Sequence, residues 1–192
     1  ELHDNSVYSV ITYLNQLKKD YGIVFSDEDV IDVLRAKRNI GRPDIALLCI
    51  KYGYAESVQD AFEKYLIDIY NKTREVNKGI SPEECIRLIK SAGGIPVIAH
   101  PHSLLKGPSA LKSTLNELKS YGLEGIEVYH PNHNQFQRQE YLSLAAKLNL
   151  LISGGTDFHG IKVKPDIEIA SGINENIDIK KLTLLDHIRS RK

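Results

Sequence analysis

Apolar positions in the first 78 residues recur only at helical spacing. Val7, Val10, Ile11, Leu14 and Leu17 form one stripe, which predicts an amphipathic helix. Ser26 is placed to cap a second helix carrying Val30, Ile31, Val33 and Leu34. Pro43 starts a third through Ile45, Leu47, Leu48 and Ile50, with Gly53 after its end. Val58, Ala61, Phe62 and Tyr65 mark a fourth over 57–66. No β-branched alternation interrupts this region, so residues 1–66 are expected to pack as a helical layer of their own, without strands. Residues 67–80 read as a polar connector.

From Ser81 the pattern becomes alternating helix and strand. Ser81-Pro82-Glu83-Glu84 predicts a capped helix start, with Glu84 reaching back and Gly93-Gly94 as the stop. Strands are predicted at 95–99, 125–129 and 150–153, separated by helices over about 109–121 and 135–148. A closing amphipathic helix is predicted at 179–188. Strands alternating with helices of this length imply parallel βαβ units with right-handed crossovers. Three strands are too few for a barrel but can form the end of one. The predicted division is a helical insertion module, 1–78, followed by C-terminal βα units, 79–192.

Composition narrows the function classes. Lys plus Arg and Asp plus Glu number 25 each, so no global charge draws the chain to nucleic acid or membrane. Cys49 and Cys85 lie in helical patterns and read as buried free thiols, which fits a reducing cytoplasm. Neither a transmembrane stretch nor a signal peptide is legible. The sequence contains no Met, so it is expected to begin inside a longer gene product or after a trimmed tag.

Candidate chemistry sits where the strands end. Five of the seven histidines follow the three strands: His100 and His102, then His130 and His133, then His159 two residues after Asp157. Parallel α/β proteins place their chemistry at the carboxyl ends of strands. A carboxylate and two imidazoles there suit Zn²⁺, Mn²⁺ or Fe²⁺, so His100, Asp157 and His159 are expected to converge as metal ligands. This points to metal-assisted hydrolysis of a phosphate ester. His102 reads more readily as a surface turn residue. His130 and His133 read as groups that face the substrate and hydrogen-bond a phosphoryl oxygen, with a catalytic role. Glu127 points away from Ile126 and Val128, which puts it toward a barrel interior or into solvent. Arg42 at a helix start offers a phosphate contact; Asp44 in the same turn suits the helix dipole but repels a phosphate. His3 and His187 read as solvent-facing.

Three stretches carry a resemblance: Ala-Gly-Gly-Ile-Pro-Val-Ile-Ala-His-Pro at 92–101, Gly-Leu-Glu-Gly-Ile-Glu-Val-Tyr-His-Pro-Asn-His at 122–133 and Ser-Gly-Gly-Thr-Asp-Phe-His-Gly at 153–160. They resemble the later motifs of the PHP (polymerase and histidinol phosphatase) family. Gly41 to Ala46 resembles the Gly-Arg-Pro-x-Ile-Ala motif of its metal-dependent phosphoesterases with a helical insertion. The resemblance implies a distorted seven-stranded βα barrel with two or three divalent ions. It implies His100, Asp157 and His159 as ligands, and a place near the substrate phosphate for the position of Asp44. Substrates would be phosphorylated small molecules or short nucleic acid ends. The family's opening His-x-His strand and its further ligands are missing from 1–78, which contain only His3. The branch also often has His where Asp44 stands. The chain therefore reads as the second half of such a domain, inactive alone, with sheet edges available for self-association. The alternative is a non-catalytic PHP-like binding or regulatory domain.

Overall fold

A computed structural model describes residues 2–36, 38–73 and 80–191, with side chains from residue 5. It divides into two compact units, Glu1–Gly79 and Ile80–Lys192.

The first unit is helical throughout its described residues. Its helices are α1 (Leu2–Tyr21), α2 (Asp27–Leu34), α3 (Arg42–Lys51), α4 (Val58–Ala61) and α5 (Ile67–Thr73), with a π-helical turn at Phe62–Leu66 joining the last two. On α1, Val10, Tyr13 and Leu17 are buried at spacings of three and four, the expected stripe. They pack with Ile45, Ala46, Leu48 and Cys49 of α3, and with Leu66 and Ile69. Ser26 and Ser57 cap α2 and α4, accepting from the Asp29 and Asp60 N–H groups at 3.2 and 3.0 Å. The expected polar connector is in part a helix: Ile69 is fully buried on α5, and Thr73 closes it by donating to the Ile69 carbonyl at 2.7 Å. Residues 74–79, and with them the expected boundary at 78, lie outside the described residues, as does the His3 side chain.

The second unit is α/β. It runs α6 (Pro82–Ser91), β1 (Val97–Ile98), a 3₁₀ turn (Pro101–Leu104), α7 (Pro108–Tyr121), β2 (Gly125–Tyr129), α8 (Gln135–Leu148), β3 (Leu151–Gly154) and α9 (Thr183–Ser190). The three strands form one parallel sheet in the order β1-β2-β3. Ile126 and Val128 are fully buried, in a core with Leu111 and Leu115 of α7 and Tyr141, Leu144 and Ala145 of α8. Ser81 caps α6 as expected, accepting from the Glu84 N–H at 3.1 Å, while the Glu84 carboxylate pairs with Arg87.

β1 is shorter than the sequence suggests. Pro96 has no N–H for a ladder, and its carbonyl instead accepts from Glu124 and Gly125 where β2 begins. At the other end His100 turns left-handed, with φ 31°. The closing helix starts at Thr183 rather than 179. The Thr183 hydroxyl accepts the Ile152 N–H at 2.7 Å and so ties the helix start to β3. His187 on α9 is half-buried, not solvent-facing. It lines a cavity of about 620 Å³ at the amino end of the strands, with Leu123, Leu150 and Thr183.

The end of β3 depends on one glycine. A Cβ at Gly154 would lie 2.7 Å from the Tyr129 Cβ and 3.0 Å from the Tyr129 carbonyl, both on the neighbouring strand. Gly154→Ala is therefore expected to destabilise the second unit by about 1–3 kcal/mol, the usual cost of overpacking. Thermal denaturation of wild type and variant checks this; an unchanged midpoint would mean the strands separate freely at this point.

Cys49 is buried and Cys85 half-buried; neither is in a disulfide. Burial pushes the Cys49 thiol up to about 11, which leaves it unreactive. No helix among the described residues is long and apolar enough to cross a membrane.

Candidate functional site

The loops that follow β1, β2 and β3 come together at the carboxyl edge of the sheet. After β1, Pro101 starts a 3₁₀ turn that carries His102 inward beside the loop after β2. After β2, the Pro131-Asn132 turn is closed by the His133 N–H donating to the His130 carbonyl at 3.0 Å. The His102, His130 and His133 rings form a near-equilateral triangle, with centroids 4.9–5.1 Å apart. One donor atom from each lies within 4.8 Å of the other two. His130 and His133 are only 1% and 2% exposed. His102 Nδ1, His130 Nε2 and His133 Nε2 are buried without a hydrogen-bond partner. Three orphaned nitrogens side by side are costly unless a ligand satisfies them.

Their hydrogen bonds define what each ring offers. His133 Nδ1 lies 2.8 Å from the Val128 carbonyl, so Nδ1 carries the proton and Nε2 presents a lone pair. His130 Nδ1 accepts the Asn132 N–H at 3.1 Å, so the neutral ring carries its proton on Nε2. The triangle thus combines a donor, His130, with an acceptor, His133; it is not three equivalent metal ligands. Burial pushes both imidazoles down to about 4, helped for His130 by His102 beside it. Burial also lowers His102. At neutral pH all three rings favour the uncharged form.

The loop after β3 adds Asp157 and His159. Asp157 adopts a left-handed backbone, with φ 54°. One carboxylate oxygen lies 3.9 Å from His130 Nε2 and the other 3.6 Å from His159 Nδ1. Lys164 donates to the Asp157 carboxylate. Burial acts to raise the Asp157 carboxyl, but Lys164, His159 and His130 together hold it below the usual range. His159 Nδ1 lies 2.6 Å from the Asp157 carbonyl, which leaves its Nε2 lone pair free.

His100 is exposed. Its Nδ1 lies 3.1 Å from the Ser103 hydroxyl and its ring 6.1 Å from that of His130. Its backbone N–H donates to Glu127 at 2.6 Å. Glu127 faces the side of β2 opposite to Ile126 and Val128, and burial raises its carboxyl. The compact imidazole set is thus His102–His130–His133, while His100, Asp157 and His159 sit on the loops around it. His102 was the residue the sequence undervalued. The available signal was His100-Pro101-His102 itself, since a proline-started 3₁₀ turn swings alternate residues to different sides.

The chemistry of this donor set fits a divalent cation. Asp157 supplies a carboxylate, and His159 and His133 supply imidazole lone pairs, that of His133 buried without a partner.

Arg42 and Asp44 belong to the first unit. Asp44 is buried, and its carboxylate accepts the Gly41 N–H at 2.8 Å while pairing with Arg38. The start of α3, expected to attract a phosphate, is already occupied by the chain's own carboxylate. The Arg42 guanidinium lies 5.0 Å over the Tyr70 ring and 5.6 Å over that of Phe62.

No family model matches the chain. Over 81 residues, 42% of its length, it is 32% identical to 29% of a phosphoribosyl 1,2-cyclic phosphate 1,2-diphosphodiesterase of Eggerthella lenta. Over 121 residues, 62% of the chain, it is 29% identical to 42% of a 3',5'-nucleoside bisphosphate phosphatase of Chromobacterium violaceum. The 5'-3' exoribonuclease Rnm of Escherichia coli is 29% identical over the same length, 41% of that protein. The chain thus matches less than half the length of these curated relatives. Among solved structures, a protein of Bifidobacterium adolescentis described as a metal-dependent phosphoesterase superposes with a TM-score of 0.68 at 27% identity, covering 98% of this chain and 62% of the other. An amidohydrolase of Chromobacterium violaceum, solved with sulfate and no metal, shares the fold, with a TM-score of 0.73 at 21% identity, covering 99% and 64%.

Proposed function

We propose that this chain, which is of the PHP type, carries the later half of a metal-dependent phosphoesterase site on its three strand-end loops. The carrying observation is the cluster of orphaned imidazole nitrogens beside the Asp157–His159 pair. In this reading residues 79–192 are the closing βα units of a distorted seven-stranded barrel, and 1–78 are its helical insertion.

His100, Asp157 and His159 are the residues that would hold a divalent ion, Mn²⁺, Zn²⁺ or Fe²⁺, with more than one ion in a complete domain. Such an ion, when bound, supplies a water of lowered pKa and offsets charge that develops on the phosphoryl group. His130 directs its Nε2–H toward the space beside Asp157 and orients a phosphoryl oxygen as a neutral donor. With both rings pushed down to about 4, His130 and His133 act uncharged at neutral pH, so neither is the proton source for the leaving oxygen. His133 holds its proton on the Val128 carbonyl and presents a lone pair to water or to a substrate hydroxyl. Within the helical unit, Arg42, stacked over Tyr70 and Phe62, is the candidate phosphate contact, and Asp44 fixes the turn that carries it.

The relatives act on a cyclic phosphate, a nucleoside bisphosphate and RNA, by their names. A phosphorylated nucleotide or short RNA end is accordingly the substrate class. The occupied start of α3 favours the second reading, a PHP-like domain that binds without catalysing.

One experiment separates the readings. Calorimetric titration of residues 1–192 with Mn²⁺ and Zn²⁺, followed by assay on p-nitrophenyl phosphate, should show weak binding of one ion and turnover at background. Three ligands provide no bridging carboxylate for a two-metal clamp. Absence of any ion binding would leave the non-catalytic reading; robust metal-dependent turnover would overturn the half-site assignment.

A further inference from the structure

Glu127 sits at the centre of the site without being one of its ligand candidates. It projects from β2, the middle strand, between the loop that carries His100 and the loop that carries Asp157. Its Oε2 accepts the His100 N–H at 2.6 Å. Its Oε1 lies where a Cβ on Gly155 would touch it, at 3.4 Å. The β2–β3 register shifts just beyond Glu127, between Glu127 and Tyr129. Such a bulge re-aims side chains at a strand end.

His100 needs an external hold. Its φ of 31° lies in the left-handed region, which a residue with a side chain avoids. The residue is exposed; the turn after it is held by buried Pro101 and by the Ser103 N–H, which donates to the His100 carbonyl at 2.9 Å, but neither bonds the His100 N–H itself. Among the described residues its ring has the Ser103 hydroxyl as its one hydrogen-bond partner. The bond from its N–H to Glu127 ties this loop to the middle strand beyond the last β1–β2 pair, Ile98 with Ile126.

We propose that Glu127 is the positioning residue of this site: its carboxylate locks His100 in its left-handed turn and spaces the His100 loop from the Asp157 loop. The proposal rests on the phosphoesterase reading for its consequence, since outer-shell carboxylates that orient ligands tune metal affinity. Its structural content stands independently of any metal.

Hydrogen exchange on residues 1–192 tests it. In the wild type the His100 amide should exchange at least ~10-fold more slowly than an unbonded exposed amide, because Glu127 satisfies it. Glu127→Ala should remove that protection while the amides of His133 and Gly155, bonded to the His130 and Tyr129 carbonyls, keep theirs. Glu127→Gln, which retains an acceptor oxygen, should restore it. Mn²⁺ affinity should fall by ~10–100-fold in Glu127→Ala and recover in part in Glu127→Gln. Fast exchange at His100 in the wild type overturns the proposal even if the Ala variant does not fold. Equal loss of protection at all three amides also overturns it, since Glu127 would then support the fold in general. If the wild type binds no Mn²⁺, the phosphoesterase reading fails, while the exchange data still decide the role of Glu127.

Discussion

Asp157→Ala is expected to lower the affinity of residues 1–192 for Mn²⁺ or Zn²⁺ by at least ~100-fold, exceeding the loss typical of outer-shell changes. Asp157 is the one carboxylate in contact with two of the site's imidazoles, His130 and His159. Without it the proposed ligand set keeps its imidazoles but loses the carboxylate that offsets the charge of a bound ion. The fold should survive, because the residue lies on a loop and pairs most closely with Lys164. Freeing Lys164 would also leave an ammonium beside the remaining donors, adding repulsion to the lost ligand. Calorimetric titration gives the affinity, and circular dichroism checks folding. Unchanged ion binding would place the metal centre away from Asp157.

Acid should unfold the second unit well before its carboxylates account for it. His130 and His133 have folded values of about 4 against 6.5 for a free imidazole. The unfolded chain therefore binds more protons between those values, and stability rises with pH across that window. The contribution is complete above about pH 6.5 and is lost as pH falls toward 4, up to ~3 kcal/mol for each ring. Denaturant midpoints measured from pH 7.5 to 4 should fall steeply in the wild type. His133→Asn should flatten that slope, whatever it does to the midpoint at pH 7.5. A slope unaltered by the substitution would show that the ring is hydrated rather than buried.

Helix starts were legible because their chemistry is local. Ser26 and Ser81 each accept from the N–H three residues on, as their spacing implied, and Ser57 does the same. The face of Glu127 followed from strand parity alone. Residues 67–73 were illegible for a specific reason. The π-helical turn at Phe62–Leu66 adds a residue to one turn, which shifts the apolar stripe out of phase. Ile69 is then buried while Ile67 and Tyr70 stay 46% exposed, and no single 3.6-residue period spans the segment. The shortening of β1 depended on where the Pro96 carbonyl found its partners, a tertiary fact. The same holds for the histidines. Sequence places them after strands, but which nitrogen is free depends on Val128 and Asn132, fixed by turn geometry rather than by spacing.

The carboxylate that closes the start of α3 has an evolutionary consequence. Asp and His codons differ at a single base, and His is the residue often found at this position in the branch this chain resembles. One point mutation at Asp44 would vacate the Gly41 N–H and release the Arg38 guanidinium, both of which it now occupies. As the chain stands, that turn carries its own anion.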